Sequence, residues 1–433
     1  MADARTIVFI PEPGAWGPTN NCVAIGEVLR ERGHRVVFVV DSSFEGVLEA
    51  KGFEERGMRM APAEESTDPN ADPWSEFIRV TAPEFRKPTT EQQATVTRPI
   101  WEALVAGVKY SHDRLMEIWD DVHPDLVCTD NVAGFPAVEL AGCPWARFVS
   151  ANPLEIRDPQ LPPPLSGLPT ADASEWQAFR EEYRRVHEDL FDQLNRFRTS
   201  AGVAPCPPDE FNTHSPWLNM YLFPEQVDYP RSLPLDPTWH RLQSTVRTSE
   251  EPFDVDERVP GAGKVVYLSL GSLGCMDVEL MQRLIDALAT TEHRVVVSMG
   301  PLKDQMKLGP NMYGDQFLPQ PSILPQCDLL ITHGGNNTMC EGFHFGLPMI
   351  GLPLFWDQYD NAQRLQETGF GRRLPTYDWS AEWLVGSVNE LLSDEDLAAR
   401  MRAGATRIQK DPGRVKAADL LERLAFIGRG DSQ

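Results

Sequence analysis

The sequence lacks any long apolar segment. Across 433 residues, no run approaches the roughly 20 apolar residues that a membrane-spanning helix needs. The amino terminus, MADARTIVFI, lacks the basic region and the extended apolar stretch of a signal peptide. We therefore expect a cytoplasmic protein that uses no membrane as a partner.

Basic residues and paired cysteines are also scarce. The chain has 40 lysines and arginines against 64 aspartates and glutamates, a net charge of −24 that argues against nucleic acid as a partner. The seven cysteines are odd in number and form no CxxC pair. We interpret them as reduced thiols, without a disulfide framework or a zinc site.

Short apolar runs alternate with helical patterns in both halves of the chain. The runs TIVFI (residues 6–10) and RVVFVV (residues 35–40) flank a helical pattern over residues 21–32. This order is typical of a βαβ unit and a parallel sheet. The same order returns after a polar stretch, so we predict two Rossmann-like α/β domains facing across a cleft. Their predicted bounds are 1–240 for the first domain, 241–263 for a linker, 264–415 for the second domain and 416–433 for a helix packing back on the first domain.

The clearest chemical signal lies between Phe317 and Leu365. There a strand, DLLIT, is followed by the turn HGGNNT and by a helix predicted to open at Asn337 or Thr338. Ligands of open parallel sheets bind beyond the carboxyl ends of the strands, and a helix N-terminus suits a phosphate. Gly335 lets a ligand approach the backbone, and His333 supplies a further donor.

Polar residues around this turn fit the rest of a nucleotide sugar. Glu341 lies one helical turn further on, where a carboxylate can accept hydrogen bonds from a ribose diol. The pair Asp357-Gln358 follows the next predicted strand and suits sugar hydroxyls. The turn SLGS, with Gly271 and Ser272, ends an earlier strand and could add a phosphate contact. Each feature alone is common in turns and on helix surfaces, but their spacing together is not.

This block resembles the nucleotide-sugar signature of the UDP-glycosyltransferase superfamily, the inverting GT-B enzymes, and most closely its bacterial natural-product and macrolide branch. The resemblance implies a GT-B fold, a UDP-sugar as co-substrate, and neither metal nor other cofactor. It places Phe317 against the base, Gln320 and Glu341 at the nucleoside, and Asp357 with Gln358 at the donor sugar. Asn336 departs from the tryptophan that many relatives carry. The implied donor site comprises Gly271, Ser272, Phe317, Gln320, His333, Gly335, Asn336, Asn337, Thr338, Glu341, Asp357 and Gln358.

The stretch PGAWGPTNN, residues 13–21, departs from the family in a more serious way. Relatives carry a glycine–histidine pair there, and the histidine is the catalytic base. Alignment on the helix stop Arg32-Gly33-His34 puts Pro18 in its place. Asp130, in LVCTDN, matches the aspartate that normally orients the histidine. It could act as the base itself if burial raised its pKa, or it could only cap a helix. His112, or an acceptor as acidic as a phenol, is the other possibility.

The leading hypothesis is an inverting glycosyltransferase that moves glucose from UDP-glucose onto a hydroxyl of a small hydrophobic natural product. The acceptor would lie near Trp16, Pro18, Trp74 and Phe77. A nucleotide-sugar-binding pseudoenzyme and a sugar-nucleotide epimerase stay as alternatives, because the usual histidine is replaced. A dehydrogenase is disfavoured, since GAWGPTNN is not GxGxxG. The acceptor, UDP against dTDP, and the oligomeric state stay open at this stage.

Overall fold

Two parallel sheets form the centre of the molecule. The computed structural model describes residues 4–62 and 80–427. Within those ranges, seven strands in the order β3-β2-β1-β4-β5-β6-β7 form the first sheet, and six in the order β10-β9-β8-β11-β12-β13 form the second. The strands are β1 (Thr6–Pro11), β2 (Arg35–Val40), β3 (Glu54–Gly57), β4 (Leu126–Asp130), β5 (Trp145–Val149), β6 (Leu218–Leu222), β7 (Trp239–Leu242), β8 (Val265–Ser269), β9 (Arg294–Ser298), β10 (Met312–Asp315), β11 (Leu329–Thr332), β12 (Met349–Gly351) and β13 (Gly371–Arg373).

Helices cover both faces of the sheets. The longer ones are α1 (Trp16–Glu31), α2 (Arg98–Tyr110), α3 (His112–Val122), α4 (Trp176–Ser200), α5 (Val278–Leu288), α6 (Asn336–Phe345), α7 (Gln358–Thr368), α8 (Ala381–Ser393), α9 (Glu395–Lys410) and α10 (Gly413–Ile427). Single helical turns occur at Val47–Ala50, Thr89–Gln92, Pro136–Glu139, Val255–Arg258, Gly271–Gly274 and Gln320–Ile323. Shorter 3₁₀ or π turns occur at Ser42–Phe44, Ala82–Arg86, Gln93–Thr97, Pro153–Glu155, Glu225–Val227, Lys303–Gln305 and Leu324–Gln326.

The predicted two-domain α/β architecture is confirmed. The central strands read as continuous apolar runs because helices bury both of their faces. All five residues of β4 and all five of β8 are buried, for example. None of the helices described in residues 4–62 and 80–427 is long and apolar enough to cross a bilayer.

Helix α1 begins at Trp16, not at Asn21 as the sequence pattern predicts. A short turn precedes it, closed by the bond from the Ala15 N–H to the Glu12 carbonyl at 3.2 Å. Pro18 lies in the first helical turn, where backbone N–H groups have no partner within the helix, so proline removes nothing there. Most of the stretch PGAWGPTNN, which precedes the predicted helix, is therefore helix.

The polar segment between the domains is partly structured. Strand β7 runs on to Leu242 and a helical turn forms at Val255–Arg258, both inside the range predicted as linker. The Thr245 hydroxyl donates to Oδ1 of Asn21 at 2.6 Å, and Asn21 is fully buried in α1. The segment is therefore docked along α1.

Helix α10 lies on the first domain although it follows the second in the chain. Its inner face carries Ala417, Ala418 and Leu421, each with no exposed surface. These side chains belong to the same apolar cluster as Ile25 of α1 and Leu222 of β6. The core of the first domain therefore includes the last described helix.

We expect Leu421→Ala to lower the free energy of unfolding by about 2–5 kcal/mol, the usual loss for a buried leucine that leaves a cavity. Urea unfolding followed by circular dichroism measures it. Ile427→Ala is the matched control on the same helix, because that side chain is 53% exposed. Equal, small effects of both substitutions would show that α10 does not contribute to the core.

Candidate functional site

Both sheets reverse their strand order at one point, and the site forms there. In the first sheet β1 lies beside β4, with Pro11 opposite Asp130. In the second β8 lies beside β11, with Ser269 opposite Thr332. A crevice opens beyond the carboxyl ends of such strand pairs, and it is the usual ligand site of this class of fold. The loops that follow these four strands carry most of the predicted residues.

His333 follows β11 and lies between two glycines. A Cβ atom on Gly271 would come within 2.7 Å of His333 Cε1, and one on Gly335 within 2.5 Å of Nε2. Burial lowers the pKa of His333 to about 4, so the imidazole is neutral near pH 7. Gly335 caps α6 without a side-chain hydrogen bond, so the first N–H groups of the helix point into the crevice beside the imidazole.

Glu341 lies at the centre of a group of hydrogen-bonded residues that the sequence predicts to bind the donor. Its carboxylate accepts hydrogen bonds from the Gln320 amide and, at 3.3 Å, from Asn337 Nδ2. The Gln320 amide also lies 3.5 Å from the Thr338 hydroxyl. Burial raises the pKa of Glu341, and the Arg247 guanidinium, 3.5 Å away, opposes that shift. Sequence reasoning missed Arg247, a basic residue of the segment between the domains.

Asp357 and Gln358 lie at the junction of the two domains. Asp357 Oδ2 accepts the Asn152 N–H of the first domain at 2.9 Å. Burial raises the pKa of Asp357 to about 6. The Gln358 side-chain carbonyl accepts the backbone N–H groups of Leu354 and Phe355 at 3.0 and 3.4 Å, which fixes the plane of its amide.

Asn336 does not present its side chain to the donor crevice. Its amide nitrogen donates to the carbonyls of Ser150, at 2.8 Å, and Leu222, at 2.9 Å, both in the first domain. The prediction placed Asn336 in the donor site. The structure commits its amide nitrogen to carbonyl groups of the first domain, and its backbone N–H lies at the start of α6. The side chain joins the domains instead.

The aromatic residues are placed differently from the prediction. Phe317 is 67% exposed, and its ring centroid lies 6.5 Å from that of Trp16 at the start of α1. The structure therefore puts Trp16 beside the predicted base-stacking residue, not on the acceptor side alone. Ser272 is exposed in the turn after β8. Trp74 and Phe77 lie outside the described residues.

One buried carboxylate, Asp130, and one partly buried carboxylate, Glu12, lie at the carboxyl ends of neighbouring strands of the first domain. Asp130 Oδ1 accepts the Ser150 N–H at 3.2 Å, and its Oδ2 has no partner among the described residues. Burial raises the pKa of Asp130 to about 7. Glu12 binds the Val132 N–H at 2.7 Å, and burial, with the nearby Asp130 charge, raises its pKa to about 8. Sequence reasoning missed Glu12, although an acid directly after a buried strand was a visible signal.

His112, the other base candidate, lies elsewhere. Its ring packs edge-on against Phe197 of α4, with centroids 5.4 Å apart. A cavity between the domains is lined instead by aromatic and charged groups. Neither His112 nor Asp130 is among the lining residues, although Val132, two residues after Asp130, is. The cavity-lining residues that matter most here are Trp101, Val132, Arg147, Asn152, Trp356 and Asp357.

Residues 211–411 match the sequence model of a family described as UDP-glucoronosyl and UDP-glucosyl transferase. The second half of the chain is therefore similar to this family of glycosyltransferases. It is 25% identical over 407 residues to the oleandomycin glycosyltransferase of Streptomyces antibioticus, covering 92% of this chain and 86% of that protein. It is 26% identical over 336 residues to the zeaxanthin glucosyltransferase of Pantoea ananas, covering 73% and 75% of the two chains.

Solved structures show the fold. The glycotransferase of kitacinnamycin superposes with a TM-score of 0.70 at 19% identity, over 98% of this chain and all of that one. Glycosyltransferase VinC, solved in complex with dTDP, gives 0.67 at 18% identity, over 98% of this chain and all of that one. The architecture of the chain is therefore GT-B, as the sequence resemblance predicts.

We expect Gly335→Ala to weaken UDP binding about tenfold or more, because the new methyl group would displace the His333 ring. The backbone of Gly335, with φ −58° and ψ 134°, is open to alanine, so the contact alone is tested. Isothermal titration calorimetry measures it. Gly386→Ala on α8 is the control, since a Cβ there would meet no atom within 4 Å. Unchanged UDP affinity in Gly335→Ala would remove His333 from the phosphate site.

The raised pKa of Asp130 makes a prediction about stability. The pKa of Asp130 is about 7 in the folded protein and 3.8 in a free aspartate. Between these two pH values the folded protein keeps a proton on Asp130 that the unfolded chain has lost. Stability from this group is full below about pH 4 and falls as pH rises through 7. Asp130→Asn should therefore lose less stability than wild type between pH 5 and 8 in urea unfolding, whereas Asp192→Asn, an exposed control on α4, should follow wild type. A wild-type pH dependence in Asp130→Asn would contradict the assignment.

Proposed function

We propose that this glycosyltransferase is an inverting enzyme that transfers glucose from UDP-glucose to a hydroxyl group of a small hydrophobic natural product. One observation carries the proposal. The segment Ser150–Asn152 binds the acceptor-side carboxylate of Asp130 through the N–H of Ser150 and the donor-side carboxylate of Asp357 through the N–H of Asn152. This three-residue segment therefore fixes the proposed base, Asp130, at one end and the carboxylate of the proposed donor-sugar site, Asp357, at the other.

Asp130 takes the role of base that histidine has in the relatives. Burial raises the pKa of both Asp130 and Glu12 towards neutrality, and Asp130 is assigned the role because its Oδ2 has no partner among the described residues. Its unpartnered Oδ2 accepts the proton as the acceptor oxygen attacks the anomeric carbon. Pro18 supplies no proton acceptor and leaves room in the first turn of α1.

The departing diphosphate is stabilised by neutral donors. The N–H groups at the start of α6 and the imidazole of His333 face the crevice, and a helix N-terminus favours negative charge. A bound diphosphate would raise the low pKa of His333 and add a positive charge when the leaving group needs it. This arrangement stabilises the leaving group without a metal ion.

The acceptor is proposed to occupy the cavity between the domains. Trp101 and Trp356 line it with ring centroids 5.2 Å apart, and Asp357 lies on its donor side. Aromatic walls with a few polar groups are typical of pockets for small apolar ligands. The names of two relatives, which act on oleandomycin and zeaxanthin, support the same class of acceptor.

The test combines product analysis with two matched variants. Mass spectrometry follows UDP-glucose and dTDP-glucose with a panel of phenols, macrolides, steroids and terpenoids, and NMR of the anomeric proton identifies inversion. We expect Asp130→Asn to lower kcat/KM by about 10²–10⁴, with UDP binding retained and with the wild-type rate falling below about pH 7. Glu12→Gln should keep most activity, because the glutamine side-chain oxygen can still accept the Val132 N–H.

The other outcomes separate the alternatives. Nucleotide binding without product from wild type would indicate the pseudoenzyme, which Pro18 favours. Conversion of the sugar nucleotide without an acceptor would indicate an epimerase. A loss in Glu12→Gln as large as in Asp130→Asn would move the role of base to Glu12.

A further inference from the structure

We propose that the nucleobase is clamped between two aromatic side chains from different domains, Phe317 of the second and Trp16 of the first. The inference rests on the proposed use of a nucleoside diphosphate sugar. The sequence resemblance accounts for one face of the base, through Phe317. Trp16 supplies the other face, and it makes the first domain part of the donor site.

The spacing of the two rings fits a base. Their centroids are 6.5 Å apart with planes 46° from parallel. A flat ring sandwiched between two others needs about 7 Å, twice the roughly 3.5 Å at which carbon atoms attract best. Centroids 6.5 Å apart lie within the range of about 4.5–7 Å for interacting aromatic pairs, so without a base the two rings contact each other at a tilt. Both rings are exposed, 38% for Trp16 and 67% for Phe317. Rotation of the exposed Phe317 ring brings the faces towards parallel.

Trp16 is fixed in place from behind. The buried ring of Phe44 packs edge-on against its indole with centroids 4.9 Å apart. The next residue, Gly17, lies so near α6 that a Cβ built on it would be 3.6 Å from Cβ of Asn337. The first turns of α1 and α6 therefore touch, and Trp16 is held beside the predicted nucleoside-binding residues with part of its indole exposed.

The rest of the nucleoside site is continuous with the pair. Phe317 lies three residues before Gln320 in the chain, and Gln320 binds Glu341. A base between the rings would thus extend from a ribose at Glu341. Stacking accepts any base with a π face, so the clamp predicts similar affinity for UDP and dTDP. Because the rings belong to different domains, a bound base also holds the domains together.

The experiment compares ligands with and without a base. Calorimetry measures UDP and inorganic pyrophosphate binding to wild type, W16L, W16F, F317L and W383L. Trp383 is the matched control, a 49%-exposed tryptophan on α8. We expect W16L and F317L each to weaken UDP binding about 5- to 100-fold while pyrophosphate binding stays within about twofold. W16F keeps a stacking face and should stay within about threefold of wild type for UDP, and W383L should equal wild type.

Three results would overturn the clamp. The first is a UDP affinity in W16L equal to that of wild type. The second is an equal loss of UDP and pyrophosphate binding in W16L, because that pattern marks a structural role. If W16L does not fold by circular dichroism, the UDP-induced quenching of fluorescence in wild type is compared with W16F, and equal quenching would overturn the proposal. Failure of wild type to bind any nucleoside diphosphate would instead refute the proposed function, and the clamp with it.

Discussion

The active cleft depends on one short piece of backbone, the segment Ser150–Asn152 after β5. Its N–H groups bind Asp130 on one side and Asp357 on the other, and the Ser150 carbonyl accepts from Asn336 at the start of α6. Backbone groups cannot move independently, so these bonds set the spacing of groups from both domains together. The Asn152 side chain adds a bond to Asn361 Oδ1 at 2.7 Å. The same backbone segment therefore joins the two domains and positions the candidate site residues Asp130 and Asp357.

The cleft is acidic, and its carboxylates are poorly solvated. Burial raises the pKa of Asp357 to about 6 and that of Asp360 to about 7. Asp360 accepts hydrogen bonds from the N–H groups of Leu165 and Gly167, at 2.6 and 2.7 Å, and so anchors the loop that contains these two residues against α7. Such groups destabilise the folded protein near neutral pH unless a ligand supplies donors. The cleft is therefore stabilised by a ligand that supplies hydrogen-bond donors to these carboxylates.

Sequence reasoning found the strands and the donor block because both are local signals. Buried parallel strands are continuous apolar runs, and the histidine–glycine turn with its downstream glutamate has a fixed spacing. Sequence reasoning failed where the position of a side chain depends on how distant segments of the chain pack against each other. The direction of the Asn336 side chain, the pairing of Glu12 with Asp130 and the approach of Trp16 to Phe317 are set by contacts between distant segments. The start of α1 was missed because Pro18 reads as a helix breaker, although it lies in a first turn that tolerates it.

Helix α10 has a consequence for how the molecule is made. When residues 1–240 have been synthesised, the first domain still lacks Ala417, Ala418 and Leu421, which later cover its apolar surface. The second domain can fold as it emerges, whereas the first has to keep an apolar face open until nearly the whole chain is out. Chimeras that exchange the first domain between proteins of this fold therefore need two separate pieces of the parent chain, the amino-terminal half and residues 413–427, transplanted as one unit.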